Sequence, residues 1–126
     1  MLDWRRPANL GAHDGCLAPC KRTPNCVSSQ ADPGDREHYV APLAFAGSIS
    51  DLRRALEAMP RVTVIREAPD YLYAEFRTPL MRYVDDVEFL KTGPVLQVRS
   101  ASRLGRRDFG VNRRRVEEIR RRLLSP

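Results

Sequence analysis

The chain has 126 residues, 42% of them hydrophobic and 30% charged, with a formal net charge of +6. That length closes one core without obligatory staples, and no run approaches the ~20 apolar residues needed to cross a bilayer. The opening MLDWRRPANLG has neither the apolar stretch nor the small-residue cleavage site of a secretory signal, so the sequence predicts a cytoplasmic protein.

The charge is uneven. Residues 99–126 hold ten arginines against Asp108, Glu117 and Glu118, a net +7, whereas residues 1–98 carry a net −1. Such asymmetry raises the question of anionic partners. Twenty of the twenty-two basic residues are arginine, however, a bias that nucleotide composition also produces.

In chain order, residues 1–47 show no sustained period and are broken by prolines and glycines. We expect residues 1–9 to be loose. Residues 10–126 then form a single domain, with 10–47 a largely ordered irregular strap docked through Leu10, Leu17, Val27, Val40, Leu43 and Phe45, and HYVAP briefly extended. Cys16, Cys20 and Cys26 fall within this strap. With His13 they form a formal three-Cys, one-His set whose spacing matches no zinc module, and the tight CxxC knuckles are absent. Zinc, a thiol nucleophile at Cys26, simple packing and a Cys20 to Cys26 bridge are the open readings. His13 and His38 lack a recognisable sequence partner for a triad.

Ser48 and Asp51 have the spacing of a capping box, and Ile49, Leu52, Leu56 and Met59 share one face before Pro60, which predicts a helix over 49–59. Four strands follow, 62–67, 71–78, 83–90 and 95–101, joined by short turns that imply an antiparallel meander. One face carries Leu72, Ala74 and Phe76, then Tyr83, Asp85, Val87 and Phe89, then Leu96, Val98 and Ser100. If KTGP is a four-residue turn, Leu90 pairs with Val95, Asp86 with Arg99 and Asp85 with Ser100. Asp86 and Arg99 then make an outer-face ion pair beside Glu88. Asp85 lies on the apolar face and needs donors, from Ser100, Arg103 or amides near Asp108. Consecutive strand residues face opposite ways, so only Asp86 and Glu88 can share a site, too few carboxylates for a calcium cage. Ion pairing is the stronger reading. We expect no metal and no cofactor.

A last helix spans about 109–124, with Phe109, Asn112, Val116, Ile119 and Leu123 on its stripe and Asp108 as N-cap. The expected fold is α+β: two layers, a four-stranded antiparallel meander with two helices on one face. The helical arginines fan around the axis and lack aromatic platforms, which makes nucleic acid the weaker partner class.

The segments LAPCKRTPNCVSSQ, YVDDVEF and VRSASRLGRRDFGVNRRRVE together strongly resemble the family known as domain of unknown function 1499, from Leu10 onward. The resemblance implies a small bacterial and plastid domain with no settled activity, often found behind an export signal, a lipoprotein anchor or a membrane segment. It also implies a Cys20 to Cys26 pairing. Its pattern falls on Pro24, Asn25, Cys26, Ser28, Ser29, Asp85, Asp86, Glu88, Arg99, Ser100, Ser102, Arg103, Asp108, Asn112 and Arg113.

These readings combine in one hypothesis. The cysteine strap folds against the sheet near the strand carboxylates, and the Ser100 to Arg115 corner satisfies Asp85. The same corner cradles a small anion with the final helix amides, Ser100, Ser102, Arg103 and Arg113. The function expected is a non-catalytic binding or interaction module for an anionic ligand or acidic partner. A cysteine-dependent enzyme using Cys26 and a nucleic-acid binder are the alternatives.

Overall fold

A computed structural model describes residues 5–80, 82–105 and 107–124. Among these residues the fold is α+β, one antiparallel sheet of six strands and two helices. The strands are β1 (Cys26–Ser28), β2 (Leu43–Ala44), β3 (Val62–Ala68), β4 (Tyr71–Arg77), β5 (Val84–Thr92) and β6 (Val95–Ser102); the helices are α1 (Ile49–Glu57) and α2 (Val111–Leu124). The sheet order is β1-β6-β5-β4-β3, with β2 also pairing β6. Four strands therefore become six, because two short pieces of the N-terminal region cover the outer edge of β6. Cys26 pairs with Ala101 and Ser28 with Arg99, while Leu43 pairs with Leu96. Three- and two-residue strands between prolines carry no period to detect. The first four residues of the expected loose N-terminus lie outside the described residues.

The β5–β6 register differs from expectation by two residues. Thr92 pairs with Val95, so the hairpin loop is Gly93–Pro94 alone, with Gly93 at a φ of +64° that a side chain would disfavour. Lys91 and Thr92 stay in the strand, where the Lys91 amide donates to the Asp70 carbonyl and Gln97 Nε2 to Thr92 Oγ1. A slip of two preserves the face of every side chain. It changes the partners: Arg99 stands opposite Glu88 instead of Asp86, and Asp85 opposite Ser102 instead of Ser100.

Leu72, Ala74, Phe76, Val87, Phe89, Leu96 and Val98 face the helices, and pack there with Leu52 and Leu56 of α1 and Val116 and Ile119 of α2. α1 begins on the expected capping box, Ser48 Oγ accepting from the Asp51 amide and the Asp51 carboxylate from the Ser48 amide. α2 begins two residues later than predicted. Phe109 adopts a φ of +53° outside the helix and is 86% exposed, so it leaves the buried stripe. Tyr83 likewise precedes β5 and stands exposed.

The opposite face of the sheet is buried too. Leu17 packs on Tyr71, Tyr73 and Leu90, with Leu10 and Ala12 alongside. This second cover explains why every residue of β4 from Tyr71 to Phe76 is buried despite alternating polarity.

Candidate functional site

Side chains opposite each other across an antiparallel sheet form rows on one face. On the face away from the helices, one row runs Ser28, Arg99, Glu88, Tyr73 and the next runs Cys26, Ala101, Asp86, Glu75. Three carboxylates are thereby buried side by side, which requires compensating donors.

Arg103 reaches two of the three. Its Nε donates to Asp86 Oδ2 at 2.9 Å and its Nη2 to Asp86 Oδ1 at 2.8 Å, with Glu75 Oε2 2.6 Å from the same nitrogen. Asp86 first, then Glu75, holds this guanidinium above the ordinary arginine range against the cost of burial. Arg6 Nε donates to Glu75 at 2.8 Å, and the Tyr73 hydroxyl donates to Asp86. Burial pushes Glu75 upward, but Arg6 and Arg103 outweigh it and its carboxyl sits below the usual range. Burial, then Glu88, raises Tyr71; burial, then Asp86, raises Tyr73. Both phenols remain donors at neutral pH.

Arg99 is different. Its residue is 4% exposed, and its Nε has no hydrogen-bond partner among the described residues. Nη2 reaches the Pro19 carbonyl at 3.3 Å and Nη1 stands 3.9 Å from Glu88 Oε1, an oxygen that also lacks a hydrogen bond. Glu88 instead accepts at Oε2 from the Gly11 amide (2.7 Å) and the Tyr71 hydroxyl (2.5 Å). Burial pulls Arg99 below the ordinary arginine range despite Glu88 and Asp86 nearby. Arg99 lines a cavity of about 540 Å³ together with Arg5, Arg6, Lys21, Asp86 and Arg103.

Of the residues expected in the site, Asn25, Cys26, Asp86, Arg99, Ser102 and Arg103 line this cavity. Asn25 ties it to the β6–α2 connection, its Nδ2 donating to the Gly105 carbonyl and its own carbonyl accepting from the Ser102 amide. Cys26 is buried in a disulfide with Cys20, and Cys16 is a free, exposed thiol. Two members of the formal zinc set are thus joined to each other. Ser28 lies apart, hydrogen-bonded to the Gln30 amide beside His38.

Asp85, Ser100, Asn112 and Arg113 belong to the helix side. Asp85 is paired by Arg115, 2.7 Å from Oδ2 in an ionic contact off the hydrogen-bond axis, and not by the donors expected at Ser100 or Arg103. Burial still leaves its carboxyl above the usual range, with Arg115 and the Ser102 hydroxyl opposing. Ser100 donates to Asn112 Oδ1, while Asn112 Nδ2 donates to Ser102 and Asp108. The α2 start is occupied by Asp108, whose carboxylate accepts from the Gly110 and Asn112 amides. The anion cradle expected at this corner is therefore filled by the chain's own carboxylate.

The helical arginines are also engaged. Arg113 donates to the Tyr39 and Arg36 carbonyls and Arg120 to those of Pro42 and Ala41, while Arg121 and Arg122 pair with Glu118. Arg113 and Arg120 thus stitch α2 to residues 36–42, while the Glu118 pairs stay within the helix. Sequence reading missed Arg5, Arg6 and Lys21 in the cavity wall, and Tyr71, Tyr73 and Glu75 in its support. The period-two spacing of the last three was a usable signal, since they fall on the face opposite Leu72, Ala74 and Phe76.

His38 fixes the neighbouring cysteine loop, Nδ1 lying 2.8 Å from Asp35 Oδ2 and Nε2 2.9 Å from the Thr23 carbonyl. Both ring nitrogens face acceptors, so the imidazolium is the form that fits. Burial lowers His38, but Thr23 and Asp35 together outweigh it and the net direction is up. A raised folded value means stability that is complete below the unfolded value of about 6.5 and lost as pH rises through the folded one. Thermal melts across that window should show this loss in the native chain and a flatter profile in His38→Gln.

The geometry defines a small α+β domain whose sheet is charged on one face and apolar on the other, with a disulfide-closed loop at the rim of a basic cavity. A protein-family model described as protein of unknown function (DUF1499) matches residues 16–123, and the chain belongs to that family. Neither the curated proteins nor the solved structures gave a match.

Proposed function

We propose that the protein is a non-catalytic binding module that holds a small anionic ligand in the cavity lined by Arg99. The observation that carries this reading is the Arg99 guanidinium, buried beside open volume with an Nε that no described residue accepts from. A buried donor without a partner costs about 1–3 kcal/mol, and an oxyanion in the cavity recovers it as a charge-assisted bond. The sign follows from the walls: Arg5, Arg6, Lys21, Arg99 and Arg103 line the cavity and outnumber the carboxylates they meet there, Asp86, Glu75 and Glu88.

The two alternatives draw less support. A Cys26 nucleophile needs a free thiolate, and this sulfur is bonded to Cys20 and buried. Phosphate-backbone binding needs available guanidiniums, and in α2 Arg113 and Arg120 donate to carbonyls of residues 36–42 while Arg121 and Arg122 pair with Glu118. The disulfide also favours an oxidising compartment over the reducing cytosol. Among the described residues no helix is long and apolar enough to cross a membrane.

Calorimetric titration with inorganic phosphate and with malonate tests the reading. We expect saturable binding of at least one, weakened about tenfold or more in Arg99→Gln. Lys21→Ser, at an exposed position, should bind more weakly with an unchanged melting temperature. Absence of binding by both anions, or full affinity in Arg99→Gln, contradicts the proposal.

A further inference from the structure

A separate surface lies at the end of the sheet where β4 leaves and β5 enters. The connecting turn is closed by the Thr78 amide on the Tyr83 carbonyl (2.9 Å) and the Tyr83 amide on Thr78 Oγ1 (2.9 Å). The β6–α2 connection emerges beside it, since Ser102 pairs with Asp85 and the Arg103 amide reaches the Val84 carbonyl. Each loop pushes one large apolar side chain into solvent: Leu80 is 93% exposed and Phe109 86%. Phe109 is held there in the left-handed region, where bulky residues are rare, with Arg114 Nη1 donating to its carbonyl at 2.8 Å. Pro79, Leu80, Tyr83, Leu104, Phe109 and Val111 line a shared cleft of about 610 Å³.

The surroundings are cationic. Arg77, Arg82, Arg107 and Arg114 are exposed on or next to these loops. The nearby acids are committed: Asp85 to Arg115, and Asp108 to the α2 amides. On the far flank of Phe109, Glu37 stands beside Arg36 and His38.

We propose that this end of the domain docks on an anionic lipid surface, with Leu80 and Phe109 entering the interfacial layer and Arg77, Arg82 and Arg107 meeting the phosphates. Exposed apolar tips ringed by cations match the two contributions to interfacial binding, apolar burial and attraction to acidic headgroups. A fluid interface closes around two protruding side chains, whereas a protein partner needs a fitted pocket for each. A second copy of this chain would bring the same arginines against these, at a cost in repulsion.

Vesicle flotation with the full chain tests this. Binding is expected on phosphatidylcholine vesicles containing about one-third phosphatidylglycerol, with little on phosphatidylcholine alone and loss of binding near ~1 M salt. The double variant Leu80→Ser, Phe109→Asn should bind at least about tenfold more weakly while keeping its melting temperature, since both side chains are exposed and Asn tolerates positive φ. Arg99→Gln should float as the native chain does, which separates this surface from the anion cavity. No flotation with the acidic vesicles, equal flotation of the double variant, or a concentration-dependent dimer that the double variant abolishes in the absence of vesicle binding would each overturn the proposal.

Discussion

Replacing Arg103 with methionine should lower the unfolding free energy by about 3–5 kcal/mol, because it strands two carboxylates that the fold has removed from water. The side chains of Asp86 and Glu75 are 2% and 7% exposed, and among the described residues Arg103 is the cation that bonds both, beside the neutral Tyr73 hydroxyl. Arg6 still reaches Glu75, but from a half-exposed position that cannot replace a bidentate contact to Asp86. Arg103→Lys should recover part of the loss, keeping the charge and forfeiting the planar fork. Urea titrations of the three chains give the numbers. A loss under about 1 kcal/mol for the methionine variant would mean that water enters and solvates the acids, as at a surface pair.

The second large effect concerns the helix side. Arg115→Met leaves Asp85 without its cation at a position 2% exposed, and the expected cost is again about 3–5 kcal/mol. Arg115 also lies over the Phe76 ring, 5.1 Å from its centroid, so some of the loss is packing. Acidification distinguishes the two. Asp85 already sits above the usual carboxylate range through burial, and removing Arg115 raises it further. A group whose folded value is raised destabilises the fold where it is ionised, and that penalty disappears as pH falls through the folded value. The deficit of Arg115→Met should therefore shrink on acidification, whereas a packing deficit would not. The double variant Asp85→Asn, Arg115→Met should be more stable than Arg115→Met alone at neutral pH.

The helix-facing half of the fold was legible because its signals are periodic. Leu72, Ala74 and Phe76 alternate, Leu52 and Leu56 recur at helical spacing, and Ser48 with Asp51 marks a start. The need of Asp85 for a donor was legible from its place on an apolar face. Its actual ionic partner was not, because Arg115 was one of six arginines in α2 and choosing among them needs the packing angle of that helix. The error in the β5–β6 turn came from reading KTGP as wholly loop, although Gly93 and Pro94 suffice for the reversal. It moved Arg99 from Asp86 to Glu88 and so hid the loose pairing that leaves its Nε without a partner. The cavity wall was least legible, since Arg5, Arg6 and Lys21 come from aperiodic chain whose position only the folded sheet determines.

On the function proposed above, Arg99 is a binding group and not a structural one. A crystal of the native chain soaked in selenate and measured at the selenium edge tests it most directly. An anomalous peak is expected within hydrogen-bond distance of Arg99 Nε, and none there in Arg99→Gln crystals treated the same way. A cavity that holds only water while selenate sits elsewhere on the molecule would contradict it.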